Sequence, residues 1–176
     1  MRCTMKLRIA SVVLAASAVF SGWLYWGSDL KVEQVLTSKE WQSYMVTVIT
    51  DDLQNEGSVG PLRRVTLTSN VKYLPNSNYV RVSVLKLYSN ESSQEVVINI
   101  SESGTWDVSD NYLLVTTKEF KDISSSQSKD FSDAQLKLIT KVFKMDAQQS
   151  RRIDIVNDQT LLLTSLNHGS SVLFSN

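Results

Sequence analysis

The sequence predicts a mainly β domain with one or two helices, folded as an antiparallel β-barrel behind an N-terminal transmembrane helix. Three observations predict this fold. A run of 20 residues near the N-terminus carries no charge. Most of the remaining chain consists of short segments in which apolar and polar side chains alternate, and turn residues join these segments. One later segment, after Ser132, has apolar residues at helical spacing instead.

The uncharged run extends from Ile9 to Ser28 and follows three basic residues, Arg2, Lys6 and Arg8. As a helix it would span roughly 30 Å, which matches the hydrocarbon core of a bilayer. Basic residues before a spanning helix favour an N-terminus that stays in the cytoplasm. We therefore predict a cytoplasmic N-terminus at 1–8, a transmembrane helix at 9–28 and an exported β-barrel domain at 29–176.

Aromatic residues cluster near the far end of this run, at Trp23, Tyr25 and Trp26. Their rings combine an apolar body with a polar edge, so they are predicted to lie at the membrane interface. The alternative interpretation is a cleaved signal peptide, because Ala16–Ala18 form a small-residue cleavage site. Both interpretations place the domain outside the cytoplasm.

The composition excludes several classes of function. The chain has 18 basic and 18 acidic residues; without the three N-terminal basic residues it has 15 against 18, so no basic surface for nucleic acid is expected. Cys3 is the only cysteine, and His168, the only histidine, lies in a polar turn. Asp51-Asp52, the only adjacent acidic pair, lies in a loop. We therefore expect no metal site, no cofactor and no enzymatic activity.

Three segments give the strongest strand patterns, namely Val65–Tyr73, Tyr79–Tyr88 and Glu95–Ser101. Each has apolar side chains at every second position, as expected for a strand with one face inside a barrel. The side chains predicted to line the interior, and any ligand cavity within it, are Val65, Leu67, Val80, Val82, Val84, Val96, Ile98, Ile100 and Trp106. The same side chains could instead fill a solid core.

Shorter elements complete the domain. Glu102–Gly104 is predicted to be a turn that leads into a strand at Thr105–Val108, and a further turn leads into Tyr112–Thr117. Ser132 and Gln135 are spaced for a capping box at the start of a helix. The last strands are expected at residues 151–156, 159–165 and 171–175.

The first part of the domain is ambiguous. Leu30–Leu36 could form a strand. Thr37 and Glu40 are spaced for a second capping box, and apolar residues in Trp41–Ile49 follow at helical intervals, which favours a helix there. A strand over Tyr44–Thr50 is the alternative.

A meander of seven or eight strands avoids exposed edges by closing, or nearly closing, into a barrel. Gly104-Thr105-Trp106 supports this prediction, because a Gly-x-Trp at the start of a strand is typical of lipocalin-like barrels, in which the tryptophan closes one end. A barrel of this size can enclose a ligand.

Five segments of varied composition form a recognisable pattern: SGWLYWGSD at 21–29, LTSKEWQS at 36–43, TSNVKYLP at 68–75, DVSDNYLLV at 107–115 and FKMDAQQSRR at 143–152. Together they resemble the ToxS family of membrane-anchored regulatory proteins of vibrios. The resemblance extends from about Ser21 to the C-terminus.

This resemblance implies a single-pass protein of the bacterial inner membrane with its large domain in the periplasm. Members of the family associate with ToxR, a transmembrane transcription activator, stabilise it and promote its activity. The related pair VtrA–VtrC forms a heterodimer whose barrel-like periplasmic part binds bile salts. For this chain the resemblance implies an incomplete lipocalin-like barrel that ToxR helps to complete, with a shared bile-salt cavity. The alternative is a free-standing periplasmic barrel that binds lipids or bile salts.

Overall fold

A computed structural model describes residues 2–49, 61–89, 95–124, 130–165 and 169–175. This part of the chain forms two helices and eight strands. The elements are α1 (Arg2–Ser38), β1 (Glu40–Val48), β2 (Leu62–Tyr73), β3 (Asn78–Ser89), β4 (Val96–Ser109), β5 (Tyr112–Ser124), α2 (Asp133–Ala147), β6 (Arg151–Asn157), β7 (Thr160–Ser165) and β8 (Gly169–Phe174).

The strands form an antiparallel barrel in which each strand pairs with its neighbour in sequence, so the predicted β-barrel is confirmed. The resemblance implied an incomplete barrel, whereas the ring is closed in this chain by a single residue pair between β1 and β8. The five strands β1–β5 form a wide sheet, and the three shorter strands β6–β8 form a narrow sheet. Two short seams join the sheets. One is the single pair Gln42 and Phe174, and the other consists of two pairs between β5 and β6, at Tyr112–Leu113 and Arg151–Arg152.

The core is divided into two apolar clusters along the barrel. The first cluster lies at the end with the two seams, which we call the closed end, and it contains residues of both sheets together with the end of α1. The second cluster contains buried residues of β2, β3 and β4 but none of the narrow sheet, and Phe131 and Ile139 cover it from the α2 side. The wide sheet therefore extends past the narrow one, and α2 packs on its extension.

Helix α1 is a single helix of 37 residues. The predicted strand at Leu30–Leu36 is therefore wrong: this segment is the last part of α1, and Val32 and Leu36 are buried in the first cluster. Between Val12 and Trp23, by contrast, the large apolar side chains of α1 are exposed. Within the described residues, no helix contains a stretch that is both long and apolar enough to cross a membrane.

The helix favoured over Trp41–Ile49 is also wrong, and the alternative strand is closer to the structure. Thr37 and Ser38 end α1 by donating their hydroxyls to the carbonyls of Glu33 and Val35, each at 2.8 Å, instead of capping a new helix. Strand β1 then pairs with β2 along its whole length. Tertiary pairing outweighs the helical spacing of the apolar residues here.

Strand β4 continues through Glu102–Gly104, where a turn was predicted. The register to β5 shifts between Ser103 and Gly104, so this point is a bulge within the strand. A Cβ at residue 104 would collide with the backbone carbonyl of Thr116 on β5. Glycine therefore serves close strand approach at this position and not a chain reversal.

Helix α2 begins as the sequence predicts. The Ser132 hydroxyl accepts a hydrogen bond from the Gln135 amide at 3.3 Å, and the Gln135 side chain accepts one from the Ser132 amide at 2.8 Å. Both halves of the capping box are thus formed. The cap fixes the start of the helix beside the second cluster.

Replacing Gly104 with alanine should destabilise the barrel by about 2 kcal/mol or more, because the added methyl meets backbone that can move only by separating β4 from β5. Urea unfolding of the full chain in mild detergent, followed by tryptophan fluorescence, measures this. Gly22→Ala is a matched control, since a Cβ there contacts nothing within 4 Å. Equal midpoints for the two variants would contradict the close-approach role of Gly104.

Candidate functional site

A buried ion pair lies inside the barrel, on the wide sheet. Arg81 of β3 and Glu102 of β4 are directly opposite in the strand register. Their side chains are 14% and 0% exposed, and Arg81 Nη1 lies 2.9 Å from Glu102 Oε1. Within the described residues neither carboxylate oxygen of Glu102 accepts a hydrogen bond of good geometry. The charge of Arg81 is therefore the main compensation for burying this carboxylate.

Polar side chains surround this pair and form a layer across the barrel. The Tyr79 hydroxyl is 3.0 Å from the hydroxyl of Thr117, and on the other side Ser69 and Ser83 share a hydrogen bond of 2.8 Å. Tyr73 packs edge-on against Trp106, with ring centroids 5.5 Å apart. The polar layer, as we use the term, consists of the ion pair and these neighbours: Arg81, Glu102, Tyr73, Tyr79, Thr117, Ser69 and Ser83.

Burial shifts the acidities in this layer. It raises the pKa of the Glu102 carboxyl above its ordinary value, and the charges of Arg81 and Arg151 together with the Tyr79 hydroxyl oppose this shift without cancelling it. Burial likewise raises the pKa of Tyr73, against the opposing influence of Arg81. For Arg81, burial lowers the pKa, but Tyr73, Glu102 and Tyr79 outweigh it and the pKa is raised, so the guanidinium stays charged.

A second arginine approaches the layer from the narrow sheet. Arg151 bonds both the carboxylate and the carbonyl of Asp146 at the end of α2, at 2.7 and 3.1 Å. A small cavity of about 10 Å³ lies between Arg81, Arg151 and Tyr73, which is no more than the space for one water molecule. Arg152, the next residue along β6, points outward and lies 3.3 Å from the Asp154 carboxylate. Between these described side chains the interior is therefore closely packed.

Most of the predicted interior residues face inward. Val65 and Leu67 pack against the second cluster, and Trp106 is buried in the first cluster. Three further predicted residues are buried in the second cluster: Val96, Ile98 and Ile100.

The prediction for β3 is wrong. Val80 and Val82 are 45% and 50% exposed and lie with Val84 on the outer face. The register to β2 turns the alternate set inward, which contains Arg81 and Ser83. The face of β3 with the three valines is the more uniformly apolar one in the sequence, so it was wrongly assigned to the interior. The tyrosine and leucine side chains on the opposite face were the available signal for the true interior.

Other predicted positions can be located only in part. Trp23 lies on α1 with its side chain 69% exposed. Tyr25 and Trp26 belong to the same helix, but their side chains lie outside the described part of the structure. Asp51-Asp52 and His168 also lie outside the described residues. Among the residues that are described, no group of three or more His, Cys, Asp or Glu could hold a metal ion.

An exposed apolar surface lies where β1 and β8 separate. Beyond the pair Gln42 and Phe174, no described strand pairs with the outer edge of β1. This edge has large exposed apolar side chains, and β8 adds two more across the gap. We call this surface the β1–β8 patch, and its residues are Tyr44, Met45, Val46, Val48, Val172 and Phe174. An unpaired apolar edge of this kind is a surface on which another strand can pair.

A larger depression, of about 390 Å³, lies on the outer surface of β4 and β5. Its lining includes the outward-facing side chains of Thr105, Leu114 and Thr116. It is separated from the polar layer by the sheet itself. Two features of the barrel therefore stand out: the β1–β8 patch exposes large apolar side chains, and the polar layer buries an ion pair.

The structure defines a class of protein in which a long N-terminal helix leads into a closed antiparallel β-barrel. Comparisons with known proteins identify the family within this class. The family model described as "Trans-membrane regulatory protein ToxS" matches residues 25–174. The transmembrane regulatory protein ToxS of Vibrio parahaemolyticus is 72% identical over 172 residues, covering 98% of this chain and 100% of that protein. The ToxS protein of Vibrio cholerae is 67% identical over 168 residues, covering 96% of each. The chain belongs to the ToxS family.

Replacing Glu102 with glutamine should alter how stability depends on pH. Because the pKa of Glu102 is raised on folding, its contribution to stability is present below its unfolded pKa and is lost as pH rises through the folded pKa. Between about pH 4 and about pH 8, the wild type should therefore lose stability relative to Glu102→Gln. Urea midpoints at both pH values measure this, with Glu119→Gln, an exposed carboxylate on β5, as control. A constant difference between wild type and Glu102→Gln would contradict a raised pKa.

Proposed function

We propose that this chain is a periplasmic regulatory partner, anchored in the inner membrane, that binds and stabilises the transcription activator ToxR and promotes its activity. Membership of the ToxS family supports the regulatory role. The observation that carries the partner role is the β1–β8 patch, an exposed apolar edge on an otherwise well-packed barrel.

The proposed anchor is the segment 9–28, with the N-terminus in the cytoplasm. The absence of charged residues from this segment and the basic residues before it support this topology. The large apolar side chains from Val12 to Trp23 contact no other part of the described domain closely enough to be covered, so a bilayer would supply their environment. The family name, transmembrane regulatory protein, agrees with a membrane location.

The proposed ToxR surface is the β1–β8 patch. A strand added there would satisfy the free backbone groups of β1, and alternate side chains of that strand would cover Tyr44 and Val46 on one side of the sheet. The same strand would lengthen the seam, which in the chain alone consists of one residue pair. Partner binding would thus complete the junction between the wide and narrow sheets.

Bile-salt sensing through a cavity shared with ToxR is the finer part of the proposal. A steroid needs a cavity far larger than the 10 Å³ beside the polar layer. The two sheets would have to separate at the β1–β8 seam to admit it, and a partner strand in that gap would stabilise the separated state. This argument favours a shared cavity over the alternative, a free-standing carrier barrel.

Lysine at position 46 should weaken association with ToxR by at least tenfold, because it places a charge on the edge that the partner strand covers. The measurement is co-purification and titration of full-length ToxR with the full chain in detergent. Asn99→Lys, on the exposed outer face of β4 and away from the patch, is the matched control and should bind like wild type. Wild-type affinity for Val46→Lys would exclude the patch as the ToxR surface, and no association of the wild type would exclude the partner role itself.

Calorimetry distinguishes the free-standing carrier barrel from a cavity shared with ToxR. Titration of a conjugated bile salt into the full chain should show specific heat only when ToxR is present, since the described cavity beside the polar layer, of about 10 Å³, is far too small for a steroid. Saturable binding to the chain alone, with the same affinity when ToxR is added, would favour the free-standing carrier and contradict a shared cavity.

A further inference from the structure

Helix α1 runs without a break from the proposed anchor into the core of the barrel. The helix extends from Arg2 to Ser38, and its last turns lie at the closed end. Val32 is 4% exposed and Leu36 is fully buried, one helical turn apart on the same face. The indole nitrogen of Trp41 donates to the Leu36 carbonyl at 3.0 Å, in a buried position. The end of the helix is therefore part of the barrel core.

One side chain on α1 fixes the helix against the far side of the wide sheet. The carboxylate of Asp29 accepts hydrogen bonds from the amides of Asp110 at 3.3 Å and Asn111 at 3.2 Å. These residues form the β4–β5 turn, and both have positive φ, 54° and 62°. A turn of this type presents its amides to a single acceptor, and a carboxylate is the strongest acceptor among side chains.

These contacts hold the end of the helix along one face: Asp29 on the β4–β5 turn, Val32 and Leu36 in the core, and the Leu36 carbonyl on Trp41 of β1. We propose that α1 and the barrel form one rigid unit, with Asp29 as the positioning residue, so that rotation of the barrel on its partner rotates the segment proposed to cross the membrane. This inference rests on the proposed function for its regulatory meaning. The rigid unit itself depends only on the contacts of α1 with the barrel.

The helical geometry gives the coupling a measurable form. Each residue inserted into a helix rotates everything after it by about 100° and lengthens it by about 1.5 Å. A barrel joined to its anchor by a flexible linker would not respond to such rotation. A barrel joined rigidly would turn its β1–β8 patch away from a membrane-bound partner and back again with the period of the helix.

The rigid unit is tested by measuring the distance between two spin labels in the full chain. The labels are attached at Val19→Cys on α1 and Ser101→Cys on the outer face of β4, and Cys3→Ser removes the native cysteine. The wild type should give one narrow distance distribution, and Asp29→Ala should broaden it at least twofold. Lys31→Ala, an exposed change on the same helix, should leave it narrow. A broad distribution in the wild type, or an unchanged one in Asp29→Ala, would overturn the inference.

The regulatory consequence is tested by inserting alanines between Ser28 and Asp29. Two alanines should reduce transcription from a ToxR-dependent reporter at least fivefold, and four should largely restore it, because four residues bring the barrel back to within about 40°. Equal activity in both would overturn the coupling. If the wild type fails to co-purify with ToxR, the proposed function fails, whereas the spin-label distances still decide whether α1 and the barrel move as one.

Discussion

The unequal size of the two sheets is the constraint on which the rest of the barrel depends. Strands β2–β5 have 12 to 14 residues, whereas β6–β8 have six or seven. Sheets of such different length can close a ring only over the length of the shorter one. Both seams therefore lie at one end, and the other end of the wide sheet needs a separate cover. Helix α2 covers the β5 side of that end through the second cluster, and the β1–β8 side keeps its exposed patch.

The polar layer marks the boundary between these two regions. On one side lies the first cluster, to which both sheets contribute, and on the other the second, to which the narrow sheet contributes no buried residue. Arg81 and Glu102 belong to the wide sheet, while Arg151 reaches them from the narrow one. A buried ion pair is weak support for stability, because desolvation offsets most of its attraction. Its position suits registration of β3 against β4, since Arg81 and Glu102 lie opposite each other only in this strand register.

The barrel could be predicted from the sequence because apolar and polar side chains alternate regularly in β2, β4 and β6, and turn-forming residues lie between the strands. It failed where tertiary contacts decide. The helical spacing after Trp41 gave way to pairing with β2, and the turn predicted at Glu102–Gly104 is a bulge within β4. In β3 both faces contain apolar residues, and only the register to β2 turns Arg81 inward. The polar layer was missed for this reason, since a single strand does not show which charges its neighbours will bury.

The same architecture explains why the last turns of α1 pack in the barrel while the side chains from Val12 to Trp23 are exposed. Val32 and Leu36 fill the first cluster at the closed end, and Asp29 holds the β4–β5 turn. The large apolar side chains from Val12 to Trp23 are exposed instead and are not part of either cluster. A seam of one residue pair and an apolar patch offer a partner limited contact, and association of free molecules through such a surface would be weak. Retention in the same membrane raises the effective concentration of partner and barrel. Under the proposed function, the uncharged segment would therefore contribute to binding strength by holding the barrel beside its partner.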